Sequence, residues 1–293
     1  MKYLIYFLLA FVPFNLMAQD ELLNMLDSIS PNQTDYATAT FKTTRIVTAH
    51  SIERMKQGQL EFRISHRFGK LNSGPEGFWG IDQSTIYVGL EYGITDWLEI
   101  GIGRTPNEKI VNGFAKFSVF RQSTGKTNMP VSISYLASMG ISTLPWDNPD
   151  RTNYFSSKLS YVHQVMIARK FDENLSIQLS PTLIHRNLVQ TPLDDNDIFA
   201  LGIGGRYKLS SRISVNAEYF YAIRPTWNIS TNYTNPVSVG VDIETGGHVF
   251  QIILSNSLGM IEKNYIAENT GELSKGDIHL GFNISRVFTL FDE

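Results

Sequence analysis

Residues 213–219 read ISVNAEY, and in this stretch apolar and polar side chains alternate one by one. Residues 98–103, LEIGIG, repeat the pattern, with a glutamate and glycines on the second face. Successive side chains of a β-strand point to opposite faces, so each stretch predicts a strand with one apolar and one polar face. The alternation recurs from about residue 59 to 290 with no helical stretch between.

A repeated apolar face opposite charges and glycines is typical of a membrane barrel with lipid outside and polar residues inside. We therefore predict an all-β fold, a single antiparallel transmembrane β-barrel of about 12 strands. The predicted strands are residues 59–69, 84–94, 97–105, 112–122, 130–141, 158–170, 173–184, 197–209, 212–224, 237–245, 247–257 and 277–290. The alternative is a soluble sandwich or lipocalin-like barrel that buries its apolar face, but sandwich strands are usually shorter.

The predicted connections alternate between short and long. The short ones, such as 95–96, 172–174 and 245–247, contain the Asp, Asn and Gly residues that tight hairpins need. The longer ones include 142–157 and 258–276. Outer-membrane barrels have short periplasmic turns and long external loops, so this alternation predicts an orientation. The even strand count then places both ends of the barrel on the periplasmic side.

The chain divides into three predicted segments: a signal peptide at 1–18, an N-terminal arm at 19–58 and the barrel at 59–293. Residues 20–29 of the arm fit a short amphipathic helix, and residues 51–54 resemble a helix start. The arm either stays in the periplasm or folds into the mouth of the barrel. With no cysteine, the chain has neither a disulfide framework nor a lipidated-cysteine anchor.

Composition excludes several other classes of protein. The 293 residues are 42% hydrophobic and 18% charged, with a formal net charge of −3. No stretch after the signal approaches the apolar length that a membrane-spanning helix requires. The mild acidity gives no reason to expect nucleic-acid binding.

Four stretches stand out as motifs: residues 62–69 (FRISHRFG), 80–87 (GIDQSTIY), 90–96 (LEYGITD) and 243–251 (IETGGHVFQ). With these motifs the chain resembles a known family, the uncharacterised outer-membrane β-barrel proteins of gliding and gut-dwelling Gram-negative bacteria, named only as a domain of unknown function. The resemblance covers about residues 40–290. It implies a fold and an outer-membrane location, and it implies no activity, ligand or catalytic residue.

Strand parity places ten charged side chains on the inward face of the predicted barrel. These candidate lumen-lining residues are Glu61, Arg63, Arg67, Glu91, Glu99, Lys116, Arg206, Glu218, Asp242 and Glu244. They either sort solutes by charge or pair with one another and fill a narrow lumen, since a barrel of this size lies between a filled and an open one. The like-charged Asp242 and Glu244 require a cation nearby, and Arg63 and Arg67 are the expected partners.

Signals for chemistry are weak. Six histidines are present, of which His66 and His248 fall in the family-like stretches, but none has a nucleophile-elbow or zinc-ligand motif. Residues 194–197, DDND, either hold Ca²⁺ or form a solvated turn, and they lack the spacing of a calcium-binding loop. The glycines in 202–205 make room inside the barrel. We predict no enzymatic activity, no cofactor and no metal.

Three functions remain for such a barrel. It is a narrow porin-like channel for small solutes, a non-conducting docking barrel, or, least favoured, a membrane enzyme. The docking role would serve a periplasmic or surface partner through residues 20–56. Expected partners are outer-membrane lipid and, during insertion, the barrel-assembly machinery. An arm inside the lumen favours docking, and an open lumen favours transport.

Overall fold

The computed structural model describes residues 33–224 and 233–291. The predicted signal peptide, at 1–18, and the predicted amphipathic helix, at 20–29, lie outside these residues. Among the helices that are described, none is long and apolar enough to cross a bilayer.

Twelve antiparallel strands form one closed barrel, as the alternation predicted. In chain order they are β1 Gln59–Lys70, β2 Ser84–Thr95, β3 Leu98–Thr105, β4 Ile110–Phe120, β5 Ser132–Ser142, β6 Leu159–Lys170, β7 Leu175–Arg186, β8 Asp197–Lys208, β9 Ile213–Ile223, β10 Val237–Thr245, β11 His248–Ser255 and β12 His279–Thr289. Each strand pairs with its neighbour in sequence, and β12 closes the barrel against β1, with Thr289 opposite Gln59. Closure leaves no unpaired strand edge facing lipid.

The largest difference from the predicted strands lies between β4 and β5. The prediction extended β4 to residue 122 and began β5 at residue 130, but β4 ends at Phe120 and β5 begins at Ser132. The intervening Ser123–Gly125 forms a separate short strand and pairs with Thr34–Tyr36 of the arm. This pairing fixes the arm at the short-turn end of the barrel.

The outer surface is apolar along the middle of the strands. In β8, Phe199, Leu201 and Ile203 point outward and are half-exposed, while Ala200 and Gly202 between them are buried. Aromatic side chains, including Trp97 and Phe171, are exposed near the short turns. Such rings favour the membrane–water interface, so this arrangement defines a lipid-facing band.

Two segments fill the barrel interior. The plug hairpin, residues 39–56 of the arm, enters from the short-turn end, and the inward loop, residues 256–278 between β11 and β12, enters from the long-loop end. Of the two positions predicted for the arm, residues 39–56 have the one inside the barrel. The predicted helix start at 51–54 is wrong, because these residues are a non-helical limb of the hairpin and bond to its other limb and to the barrel wall.

Arginine placed in the middle of the lipid-facing band tests the assignment of the two faces. We expect Ile203→Arg to destabilise the barrel by about 2–4 kcal/mol, because a cation at the bilayer midplane loses its hydration. Leu209→Arg, just beyond the short-turn end of β8, should cost about 0–1 kcal/mol. Urea unfolding in lipid vesicles measures both variants, and equal costs would contradict the assignment.

Candidate functional site: the plugged lumen

The plug hairpin makes a tight turn in the middle of the barrel. The Ile46 N–H donates to the Ala49 carbonyl at 2.8 Å, and the Ser51 N–H donates to the Thr44 carbonyl at 2.9 Å. Residues 46–49 therefore form the tip, and their remaining backbone groups face the barrel wall. A buried backbone group without a partner is costly, so the wall has to supply partners for this tip.

Glu218, on the inward face of β9, accepts hydrogen bonds from three successive N–H groups of the tip. The donors are Val47 at 3.1 Å, Thr48 at 2.9 Å and Ala49 at 3.1 Å. Glu218 itself is 4% exposed. Hydrogen bonds to a charged acceptor are stronger than neutral ones, so one carboxylate anchors the whole tip.

Amide side chains of the wall bind the carbonyls on the same part of the hairpin. Gln251 Nε2 donates to the Ile46 carbonyl at 2.7 Å, and Asn283 Nδ2 donates to the Val47 carbonyl at 2.8 Å. On the opposite wall, Gln178 Nε2 donates to the His50 carbonyl at 2.8 Å. The wall therefore recognises the backbone of the hairpin from β7, β11 and β12.

The limbs of the hairpin are held in the same way. Glu99 accepts from the Met55 N–H at 2.7 Å, Lys116 Nζ donates to the Glu53 carbonyl at 2.8 Å, and Arg206 donates to the Ala39 carbonyl at 2.9 Å. Each of these charged groups is thus paired with a backbone dipole of the hairpin.

Charged pairs complete the contact. Arg45 of the hairpin reaches Glu91 of β2 at 2.7 Å, and both side chains are buried. Lys42 contacts Glu244 of β10 at 2.5 Å. Because burying a charge is costly without a partner, Arg45 supplies the partner that the buried Glu91 requires, whereas the Lys42–Glu244 pair stays partly exposed.

The structure places the candidate lumen-lining residues on inward strand faces, and all but Asp242 contact the plug hairpin directly. Besides the contacts above, Glu61 and Arg63 contact Thr44, and Arg67 contacts Thr48. Asp242 accepts hydrogen bonds from Ser214 and Gln251.

The expected pairing of Asp242 and Glu244 with Arg63 and Arg67 is wrong. Strands β11 and β12 separate β10 from β1, and closer groups satisfy each charge. Arg63 pairs with Glu61 of its own strand, while Glu244 pairs with Lys42 of the hairpin.

Apolar residues on the inward face were missed by the sequence reasoning. Leu136 and Met166 have no exposed surface and pack with Phe41, Ile46 and Ile52 of the hairpin. Their signal was present in the sequence as a break in the alternation, for example in residues 135–137, YLA. An apolar side chain that points into a polar lumen indicates something packed against it.

The inward loop enters the lumen from the other end. Its Tyr265 packs edge to face on Phe220 with ring centroids 5.5 Å apart, and its Ile266 and Ala267 belong to the same buried cluster as Ala49 of the hairpin tip. His50 of the hairpin lies 3.6 Å from Glu262 of the loop. The two segments therefore meet across the middle of the barrel.

Ion pairs also fix the inward loop at its outer end. Lys263 lies between Glu108 at 2.6 Å and Glu268 at 2.5 Å, and Arg186 contacts Glu268 at 3.0 Å. Burial raises the pKa of Glu108, and the neighbouring Glu268 raises that pKa further.

Nearby, a hydrogen bond from Lys70 at 2.8 Å and a second from Asn72 hold the pKa of Asp277 well below its usual range. Asp277 is therefore ionised at any physiological pH, and it ties the end of the inward loop to the end of β1.

Two of the candidate histidines stack on aromatic rings, and the acidic cluster pairs with a third histidine. His66 points outward and stacks on Phe282 with ring centroids 5.0 Å apart, and His248 stacks on Phe250 at the β10–β11 turn. In the acidic cluster, Asp197 pairs with His185 at 2.7 Å. Within residues 33–224 and 233–291, no group of three His, Asp or Glu side chains could hold a metal ion.

Comparisons with known proteins agree with the barrel. The model of a family described as a membrane bound beta barrel domain (DUF5777) matches residues 41–288. The match begins within the plug hairpin, so most of the hairpin is part of the family's domain. No curated protein matches the chain in sequence.

Among solved structures, an outer membrane channel from Pseudomonas putida F1 has a TM-score of 0.50 at 14% identity, over 81% of this chain and 98% of that chain. The NanC porin has a TM-score of 0.48 at 8% identity, over 78% and 98% of the two chains. The KdgM porin has a TM-score of 0.47 at 9% identity, over 80% and 99%. The comparison with the Pseudomonas channel shows a shared barrel fold alone.

Glu218→Ala should release the tip of the hairpin, because three buried N–H groups lose their acceptor. A single cysteine at Thr48→Cys reports this release, since the chain has no other thiol. We expect a membrane-impermeant maleimide to label Thr48→Cys at least about tenfold faster in the Glu218→Ala background, which corresponds to 1.4 kcal/mol.

The control for this measurement is Glu173→Ala, which removes an exposed carboxylate on the β6–β7 turn. Its labelling rate should equal that of the wild-type background. If Glu218→Ala also left the rate unchanged, the carboxylate would not be the anchor of the tip.

Proposed function

This chain belongs to the family of membrane bound beta barrel domains, and we propose that it is a porin-like barrel of the outer membrane that its own N-terminal hairpin holds closed. In this proposal small solutes pass only when the plug hairpin leaves the lumen. The observation that carries the proposal is the binding of the hairpin backbone by the wall, through Glu218 at the tip and Glu99 at the base.

The contacts support a closed resting state. An open pore needs a continuous water path, whereas the hairpin tip and the inward loop pack together in one buried cluster that includes Ala49 and Ile266. The side chains that would line the path after withdrawal are the same charged residues that now bind the hairpin. In this proposal the wall therefore sorts solutes by charge only in the open state.

The location and partners in this proposal follow from the type of barrel. The proposal includes export by a cleaved signal at 1–18, contact with outer-membrane lipid, and assistance from the barrel-assembly machinery during insertion. It includes no enzymatic activity, because neither His66 nor His248, which stack on aromatic rings, has a hydroxyl nucleophile in hydrogen-bond contact among the described residues.

A docking role is the second candidate, and the filled interior favours it over an always-open pore. The sequence indicated residues 20–56 as the partner-binding segment, but the hairpin part of that segment is enclosed by the wall. A periplasmic partner would therefore bind residues before the plug hairpin, near the sheet of Thr34–Tyr36 and Ser123–Gly125.

A pair of adjacent glycines allows a matched test of closure. A Cβ on Gly204 would lie 2.5 Å from Ile46 Cδ1 of the hairpin, whereas on Gly205, which faces outward, the nearest atom would be at 3.5 Å. We expect Gly204→Phe to displace the hairpin tip, because overpacking costs about 1–3 kcal/mol and thereby raises the open population about 5-fold to 150-fold. Gly205→Phe points into lipid and should behave as wild type.

Single-channel recording in a planar bilayer measures the effect. The wild-type protein and Gly205→Phe should give no steps above the lipid background, and Gly204→Phe should give intermittent openings. A variant without residues 39–56 should conduct steadily, once a heat-dependent shift in gel mobility has shown that its barrel is folded. Steady current through the wild type would contradict closure, and no current through the folded deletion variant would leave only the docking role.

A further inference from the structure

A polar cavity of about 260 Å³ opens at the long-loop end, above the inward loop. Beside it lies a second cavity of about 590 Å³, and the two share Lys70, Leu258 and His279. Ligand sites typically occupy about 300–1,000 Å³, so the pair is large enough for a small molecule. We call the two cavities together the vestibule. The filled lumen below separates the vestibule from the short-turn end.

Amide groups dominate the first cavity. Asn107, Gln190, Asn264 and Asn269 all line it. Asn264 is 5% exposed, and its Nδ2 donates to Glu108 at 3.1 Å, which fixes the orientation of the amide. Its Oδ1 is buried without a hydrogen-bond partner among the described residues. A buried acceptor without a partner is costly, and a ligand hydroxyl would satisfy it.

The backbone around Asn264 is unusual. Asn264 lies in a single π-helical turn, Lys263–Ala267, a type of turn found frequently at functional sites. Across the cavity, Glu108 has φ 52°, in the left-handed region that non-glycine residues seldom adopt. Strained residues of this kind persist where the surrounding structure fixes them, often at ligand sites.

The formal charges around the vestibule already compensate one another. Lys263 and Arg186 together balance Glu108 and Glu268, and Lys70 pairs with Asp277. No unpaired charge is therefore offered to a ligand by these residues, and an ionic ligand would have to break an existing pair. The remaining polar side chains of the first cavity are amides, three hydroxyl groups and His279. The Nδ1 of His279 contacts the Phe68 carbonyl at 2.8 Å and so carries the hydrogen. Nε2 of the neutral ring is then an acceptor.

From this combination we propose that the vestibule is a binding site for a small, neutral polyhydroxyl compound of simple-sugar size. Amides donate and accept at once, and so do hydroxyl groups, which makes the two chemically complementary. The site does not depend on conduction, since it lies outside the plugged part of the lumen. Asn264 provides the central contact, and Gln190 lies at the exposed rim.

Calorimetric titration of the full-length protein with D-glucose tests the proposal. A zwitterionic detergent is required, because a glycoside detergent carries a competing sugar. We expect a Kd in the millimolar range, about 1–10 mM, as is reasonable for a small polar ligand. D-Glucuronate and D-glucosamine, which carry opposite charges on the same pyranose ring, should bind at least about tenfold more weakly.

Asn264→Ala should weaken glucose binding about tenfold or more, because the ligand loses a buried hydrogen-bond partner. Because this change removes contacts to Glu108 and Glu268 as well, Gln190→Ala is the second variant, with an expected loss of about threefold and no effect on folding. Asn174→Ala, at the opposite end of the barrel, is the matched control and should bind as wild type.

The proposal fails if glucose gives no heat of binding up to about 50 mM, or if the charged analogues bind as well as glucose. Binding that is indifferent to both Asn264→Ala and Gln190→Ala would also overturn it. Each of these outcomes is independent of the bilayer recordings. The calorimetry can therefore fail while the barrel is closed, and it can succeed while the barrel conducts, so failure of this proposal and failure of the proposed function are distinguishable.

Discussion

The structure depends on one constraint: every backbone N–H and carbonyl at membrane depth needs a partner. The twelve strands satisfy one another by closing into a barrel. The plug hairpin has no neighbouring strand along most of its length, so side chains of the wall take that place. Glu218 serves three N–H groups, while Gln178, Gln251 and Asn283 serve carbonyls. The polar inward face is therefore required by the hairpin it encloses.

Local periodicity explains why the barrel was predictable. Side-chain parity repeats every two residues, so both the strand positions and the inward direction of Glu99 or Glu218 follow from short stretches of sequence. The contacts of those residues do not follow, because Glu218 and Val47 are separated by 171 positions. The alternation predicts which way a carboxylate points, but it does not predict which segment the carboxylate contacts.

The arm was ambiguous for a physical reason. Its tip, residues 46–49, IVTA, is apolar enough for a core and short enough for a loop, and its hydrogen bonds are made to the wall and not to a paired strand. The evidence for its position lay in the barrel strands themselves. Leu136, Met166 and Phe220 face inward, where an aqueous lumen would favour polar groups. Burial of such side chains contributes about 25 cal/mol per Å², which makes a filled interior the more stable arrangement.

Exposure of the ion pairs gives an order to any withdrawal of the hairpin. Lys42 and Glu244, near the short-turn end, keep 25% and 36% of their side-chain surface exposed, so water can replace this contact at little cost. Arg45 and Glu91 keep only 8% and 1%, and separating them without water would leave two uncompensated buried charges. Water must therefore enter along the base of the hairpin before the inner pair can part. Hydration of the lumen and departure of the tip are then one cooperative step. The apolar contacts of Leu136 and Met166 with the hairpin oppose this step.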